Sequence, residues 1–305
     1  MSHIKLPIVV TPTRVELGLR CHRKHAFSDI LSRARYYSPS LEFGSVVHAG
    51  VGAHWLGTKF PNQPHWGAAI GAEWDKRFVQ KDTSQESVSL AMATSMMEHY
   101  VENAQLAGPF SDEGGYTLVD VEQRFEVPFD MDGSGTGLIS FQCDRIVAKD
   151  DHIVVVDTKT AQRLDARWER QWELSLQMKI YKGLVKQVFD NKNVDIVIEG
   201  LLKHVPSDIR YYVCPDWSDL QLGEALYAAT AIAKQDELLI TSEGKLRSKE
   251  EIEELACKYT LPNYGECYSY NIECPFRRVC IADVPERVSI LRGEYFELPE
   301  EEETY

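Results

Sequence analysis

No apolar run in this 305-residue chain approaches the roughly 18–20 residues that span a bilayer, which excludes a membrane-spanning helix. The opening residues, Met-Ser-His-Ile-Lys-Leu-Pro, lack the apolar core and cleavage site of a signal peptide. A surplus of positive charge is missing as well: 33 Lys and Arg stand against 47 Asp and Glu, a net charge of −14, which at first sight argues against a polyanionic partner. There is no internal repeat, and Glu300–Glu303 is the only low-complexity run. What is present is an ordinary globular composition, 44% apolar and 26% charged, enough for one large domain or two modest ones.

The charge is segregated, so its global sign decides little. Residues 1–60 carry eight bases against three acids, and residues 159–186 carry seven against three, whereas Glu294–Tyr305 holds six acids and no base. The seven cysteines are an odd number in a long chain, which favours a cytoplasmic protein with reduced thiols. In that compartment clustered cysteines more often bind metal or do chemistry than form structural disulfides.

Hydrophobic periodicity divides the chain into three parts. Residues 1–110 read as a helical lobe: a helix capped by Thr11 or Thr13 and running through Val15 to Leu31, a second from near Leu41, and two more at Trp66–Val79 and Ser84–Gln105. Residues 111–215 turn to alternation and β-branched residues, giving a meander of strands at Tyr116–Phe129, Leu138–Ala148 and His152–Asp157. A helix over Trp168–Phe189 and strands at Val194–Leu202 and Ile209–Val213 follow. Residues 216–305 return to helices, at Trp217–Leu238 and Lys249–Lys258, and end in a cysteine-containing segment and the acidic tail. The fold class is α/β, and the three parts are expected to form one compact unit.

Asp144 lies in the second meander strand and Asp157 near the end of the third. If Lys149–Asp151 closes the hairpin, the two acids face each other across an antiparallel ladder. Like charges so placed repel unless a cation sits between them, and Mg²⁺ or Mn²⁺, hard ions that take oxygen ligands, would resolve the conflict. Lys159, two residues past Asp157, shares its strand face and can hold a water or offset charge developing on a phosphate.

Cys267, Cys274 and Cys280 fall within fourteen residues, and Cys21 supplies a fourth thiol from the basic segment Arg20-Cys21-His22-Arg23-Lys24. Four thiolates around one site mean Zn²⁺ or an iron–sulfur cluster, and the spacing alone does not choose between them. Cys143 and Cys214, in strand-like segments, read as small core fillers.

The segments Gly44-Ser45-Val46-Val47-His48, Asp144, Asp157-Thr158-Lys159 and Gln177 with Tyr181 occur in an order that resembles the RecB-like branch of the PD-(D/E)XK nuclease superfamily. The resemblance spans about 44–181. It implies a restriction-endonuclease-like core, a mixed central sheet flanked by helices, with His48, Asp144, Asp157 and the Thr158 carbonyl as metal ligands and Lys159 as the catalytic lysine. Gln177 and Tyr181 would orient the lysine or the substrate. Glu122 is either a further carboxylate of the site or an exposed strand acid. The chain departs from the family in having Phe141-Gln142-Cys143 where a small Gly commonly precedes the strand acid.

A subset of RecB-like nucleases, including AddB subunits and the exonucleases of CRISPR adaptation, carries a 4Fe–4S cluster held by one N-terminal and three C-terminal cysteines. By that resemblance Cys21, Cys267, Cys274 and Cys280 would be its ligands, joining the N- and C-terminal wrapping. The gap between Cys267 and Cys274 is longer than in the family, which leaves Cys257 as an alternative. The implied activity is a Mg²⁺- or Mn²⁺-dependent deoxyribonuclease, an exonuclease on single-stranded DNA ends that uses metal-activated water, acting alone, as a homo-oligomer or with a protein partner in DNA repair or recombination. The alternatives are a non-catalytic DNA-binding or assembly subunit and a zinc-stabilised nuclease. Phosphate contacts are expected from Arg14, Arg20, Arg23, Lys24, Arg163, Arg167 and Arg170, with Arg33, Arg35, Lys179, Lys182 and Lys186 nearby. Tyr36, Tyr37, Trp55, Trp168 and Trp172 are candidates either for base stacking or for core packing.

Overall fold

The computed structural model describes residues 8–34, 39–60, 62–78, 88–107, 114–130, 136–190, 193–204, 206–242, 245–271 and 273–297. Arg35, Tyr36, Tyr37, the start expected for the Ser84 helix and most of the acidic tail lie outside them. The chain packs as two compact units, one built from 1–37, 126–140 and 223–305, the other from 38–125 and 141–222.

In the second unit, α3 (Pro39–Lys59), α4 (Trp66–Phe78) and α5 (Leu90–Ala107) precede β3 (Thr117–Asp130) as far as Phe125, β4 (Thr136–Lys149) from Phe141 on, and β5 (His152–Ala161). Then come α6 (Ala166–Glu173), α7 (Leu176–Val188), β6 (Asn193–Leu202) and β7 (Ile209–Val213). The sheet is mixed: β3 pairs with β4, β4 with β5 antiparallel, β5 with β6 parallel, and β6 with β7 antiparallel. The β4–β5 hairpin closes at Asp150, whose φ of 54° is the left-handed conformation that a tight turn needs and that Asp tolerates. A parallel pair cannot be joined by a hairpin, and α6 and α7 form the crossover from β5 to β6. The run Ile153–Val156 is buried throughout, as expected of a strand covered on both faces.

The helix expected over Trp168–Phe189 is two helices. Ser175 interrupts it and caps α7, its Oγ accepting from the Met178 N–H at 3.3 Å, while Leu174 in the joint is left exposed. On β6, a Cβ at Gly200 would lie 2.6 Å from the Trp168 ring, so glycine here lets α6 lay that indole on the sheet. The helices α3–α5 enclose their own core of Phe43, Val46, Val47, Val51, Ile70, Met96, Met97 and Tyr100, to which Leu201 of β6 adds.

The first unit gathers both ends of the chain. It holds β1 (Val9–Val10), which pairs in parallel with the start of β4, α1 (Pro12–Arg20), α2 (His22–His25), a π-helical turn at Ala26–Ile30 and β2 (Arg33–Ala34). Most of α8 (Asp219–Ile240) belongs to it, then β8 (Thr241–Ser242), β9 (Lys245–Leu246), α9 (Lys249–Tyr259) and a 3-10 helix at Tyr264–Asn271. The described residues finish with α10 (Arg277–Ile281), α11 (Val284–Glu294) and β10 (Phe296–Glu297), which pairs with β2. The helix expected from Thr11 to Leu31 breaks at Cys21, whose φ of −158° and ψ of 101° are extended, so that α1 ends and α2 begins there. Phe27 packs at a tilt against Phe276, and Phe276 stacks on Tyr295, in a core shared by the N- and C-terminal segments. No helix of the described residues is long and apolar enough to cross a membrane.

Candidate active site

The β4–β5 register pairs Arg145 with Val156, so its next step sets Asp144 opposite Asp157, the apposition expected from the hairpin. There the ladder opens: the Thr158 N–H donates to Asp144 Oδ2 at 2.7 Å rather than continuing the backbone pairing. Lys159, on the same strand face as Asp157, brings its ammonium to 2.7 Å from Asp157 Oδ2. From α3, His48 Nδ1 approaches Asp144 Oδ2 at 3.4 Å. One turn on, Gly52 lets the helix pass close to Glu122, since a Cβ there would lie 3.1 Å from Glu122 Oε1.

Glu122 sits in β3 with a φ of 54°, a strained backbone for a non-glycine residue within a strand. Its carboxylate accepts from Gln142 Nε2 at 2.5 Å, and burial, then the charge of Asp144, push its pKa up to about 7. Of the two readings of Glu122, the structure favours a member of the acidic group over an exposed strand acid. Asp157 is held above the ordinary carboxylate range, chiefly by burial and also by Asp144, with the Lys159 charge opposing. From α7, Tyr181 is buried beside Phe141, and Gln177 Nε2 donates to its hydroxyl at 3.3 Å. Burial and the nearby Asp157 raise the Tyr181 phenol. Phe141 and Gln142 therefore occupy the positions before the strand acid usefully, one packing on Tyr181 and the other bonding Glu122.

Three carboxylates, one imidazole and one ammonium share this region, a surplus of negative charge in a half-buried place. Asp157 Oδ2 is buried and, apart from the adjacent ammonium, has no aligned hydrogen-bond donor. Oxygen and imidazole donors of this kind fit a hard divalent cation. Among the described residues no three His, Cys, Asp or Glu side chains stand close enough to enclose an ion. In this arrangement Asp144 is turned to the Thr158 N–H and Asp157 to Lys159.

Behind the same strands lies a group that sequence reasoning missed. Arg145 and Glu199, both buried, pair at 3.1 Å, and Tyr100 of α5 donates to Glu199 while accepting from Arg145 at 3.0 Å. Thr158 Oγ1 donates to Glu199 Oε2 at 3.0 Å. Trp55 donates to the Tyr100 hydroxyl at 2.7 Å and stacks 4.3 Å under the Arg145 guanidinium. The available signal was Arg145 and Glu199 themselves, one followed by Ile146-Val147-Ala148 and the other preceded by Ile196-Val197-Ile198, since buried ions are nearly always paired.

The basic residues divide. Arg163, Arg167 and Arg170 are exposed, the last two on α6, and Asp165 caps that helix by accepting from the Arg167 and Trp168 N–H groups. Lys182 is buried against Asp216 and Lys186 pairs with Asp219. Trp168 is buried, and Trp55 is half-buried with its ring against the Arg145 guanidinium. In the first unit Arg14 and Lys24 are partly exposed, and Arg20 pairs with Glu16 of its own helix at 2.5 Å. Arg23 is buried and donates to the Thr260 carbonyl at 2.6 Å, so its guanidinium is committed to the C-terminal segment rather than presented to a phosphate. Arg33 is likewise buried in a pair with Glu253.

Cys21, Cys267, Cys274 and Cys280 all lie in that unit, near enough for the charge of Cys21 to act on the other three. The Cys274 N–H donates to the Cys267 carbonyl at 2.8 Å, and Asn263 N–H reaches Cys21 Sγ at 3.4 Å. Burial raises the thiols of Cys267, Cys274 and Cys280, which also feel Cys21, while Arg277, Lys24 and Arg23 respectively act to lower them. Thiols with cations beside them are the donor type that a thiolate-bound group takes, but among the described residues no three of them stand close enough to enclose one. Cys257 is instead buried in the apolar core, where burial pushes its thiol up to about 11. Cys143 and Cys214 are buried in the other unit.

A family model described as the PD-(D/E)XK nuclease superfamily matches residues 9–281. Among solved structures, the chain is similar to a "putative exonuclease" from Eubacterium rectale, with 14% identity, coverage of 75% of this chain and 82% of that one, and a TM-score of 0.48. It is also similar to SSO0001, with 13% identity, 85% of each chain covered and a TM-score of 0.33. Both scores fall below 0.5 and neither likeness carries weight for the chemistry. No curated protein matches the sequence.

Proposed function

This chain belongs to the PD-(D/E)XK nuclease superfamily, and we propose that it is a RecB-like deoxyribonuclease, dependent on Mg²⁺ or Mn²⁺, that hydrolyses phosphodiesters at single-stranded DNA ends. The observation that carries this reading is the meeting of Asp144 and Asp157 across β4 and β5 with Lys159 beside them. His48, Asp144, Asp157 and the Thr158 carbonyl would hold the cation. A bound divalent ion supplies acidity to water and neutralises phosphate charge. The Lys159 ammonium is placed to offset charge that develops on the transferred phosphoryl oxygens. Gln177 and Tyr181 orient the groups around Asp157. Arg163, Arg167 and Arg170 hold the incoming backbone as exposed cations.

Cys21, Cys267, Cys274 and Cys280 hold a 4Fe–4S cluster that ties the two ends of the chain into one unit, a structural rather than a redox duty. With cysteines drawn from both termini, folding of that unit depends on cluster insertion.

The test is digestion of 5′- and 3′-labelled single strands by the full chain with Mn²⁺ and with EDTA, beside Asp157→Asn. Shortening from one end, lost in EDTA and in the variant, is expected. Cleavage that persists in Asp157→Asn would overturn the assignment, and metal-independent binding without cleavage would point to a DNA-binding subunit instead.

A further inference from the structure

We infer that the buried Arg145–Glu199–Tyr100 group behind the sheet is a positioning device for Thr158 and sets how tightly the carboxylate face binds a divalent cation. The inference rests on the metal-dependent reading above. Its starting point is the pleat: successive residues of a strand point to opposite faces. Asp144 and Arg145 are consecutive on β4, and Asp157, Thr158 and Lys159 on β5, so each acidic-face residue has a neighbour on the other face. Thr158 and Glu199 are direct partners in the parallel β5–β6 ladder.

Thr158, at 1% exposure, is therefore pinned twice: its N–H by Asp144 at 2.7 Å and its hydroxyl by Glu199 at 3.0 Å. Glu199 is in turn fixed by Arg145 at 3.1 Å, by Tyr100 and by Tyr211. Trp55 stacks on Arg145 and bonds Tyr100, tying the group to α3, the helix that carries His48. A buried ion pair is rarely better for stability than apolar side chains of the same volume. Its contribution here is directional: it fixes the Thr158 side chain, and through it the two peptide planes that flank Thr158 and lead to Asp157 and Lys159. Tyr100, Arg145 and Glu199 touch no reacting atom and are positioning residues.

Thr158→Val tests this, since it keeps shape and β-branching and removes only the hydroxyl that bonds Glu199. The full-length protein is titrated with Mn²⁺ alone, without DNA, by isothermal calorimetry. Removing a partner that orients metal ligands typically weakens affinity roughly 10–100-fold, and we expect the lower part of that range for Thr158→Val. Thr158→Ser, which restores the hydroxyl, is expected near the unmodified protein. Tyr100→Phe, distant in sequence from the catalytic strand, is expected to weaken Mn²⁺ binding in the same direction and serves as the readout if Thr158→Val does not fold. Mn²⁺ binding by Thr158→Val and Tyr100→Phe equal to that of the unmodified protein overturns this inference and leaves the nuclease reading standing. No Mn²⁺ binding by the unmodified protein overturns both.

Discussion

Replacing Arg145 with Met isolates what the buried pair does for stability. Arg145 is 4% exposed and Glu199 fully buried, so the substitution removes the guanidinium 3.1 Å from the carboxylate and leaves Glu199 bonded to the hydroxyls of Tyr100, Thr158 and Tyr211. Breaking one side of a buried pair costs about 3–5 kcal/mol, because the remaining charge is left uncompensated. That is a large fraction of the roughly 5–15 kcal/mol by which domains are stable. Met refills much of the volume and can still pack on Trp55, so the loss is electrostatic rather than a cavity. Adding Glu199→Gln removes the stranded charge and should recover most of the loss. The double-mutant cycle, read from urea midpoints followed by circular dichroism, should give a coupling energy of at least about 2 kcal/mol. A cost below about 1 kcal/mol for Arg145→Met, or strict additivity in the double variant, would refute the reasoning.

Three further outcomes follow from the geometry. Because Glu122 is pushed up to about 7 from an ordinary 4.5, the folded state holds a proton across that interval which the unfolded chain has released. Its contribution to stability is present below about 4.5 and lost as pH rises through about 7, and in EDTA the urea midpoint should fall over that window in the parent but not in Glu122→Gln. An equal slope in both proteins would count against burial of this carboxylate. His25 bonds Asp236 and Asp29 at 2.9 and 2.8 Å, and although burial acts to lower its pKa, these carboxylates raise it to about 9. That stabilisation is complete below 6.5 and disappears as pH rises through about 9, and thermal melts of His25→Gln should lack the decline seen in the parent. Cys21→Ser, purified anaerobically, should lose the brown colour and most of the bound iron, and Cys257→Ser should keep both. Zinc in the parent, with no iron, would replace the cluster by a zinc site.

The acidic face was legible from the sequence because its logic is local. Asp144 and Asp157 are separated by one hairpin, and counting residues from Asp150 suffices to set them opposite each other. The Arg145–Glu199 pair was not legible, since it depends on the register of β6 against β5 across the α6–α7 crossover, which no short-range spacing specifies. Likewise, Arg23 looked like part of a basic surface because sequence counts charge and not burial. Its bond to the Thr260 carbonyl spans 237 residues. The break at Cys21 was hidden by an apolar periodicity that runs on through Phe27 and Leu31, although it is the extended residue at the break that sets the thiol between α1 and α2.

The net charge of −14 also takes on a local meaning. A nucleic-acid enzyme with this surplus attracts DNA only where cations are exposed, and in the second unit Arg163, Arg167 and Arg170 are, whereas Lys182 and Lys186 are paired with acids. The acids of the site cannot serve as a general repellent surface, because Asp157 is buried and Glu122 is held near half-protonation at neutral pH. A divalent cation would therefore change the sign of this region more than its small charge suggests: it would favour the ionised form of Glu122 while neutralising Asp144 and Asp157. DNA affinity should thus depend on the cation as well as on salt. At fixed ionic strength, replacing Ca²⁺ or Mg²⁺ by EDTA should weaken single-strand binding in the parent and leave it unchanged in Asp157→Asn.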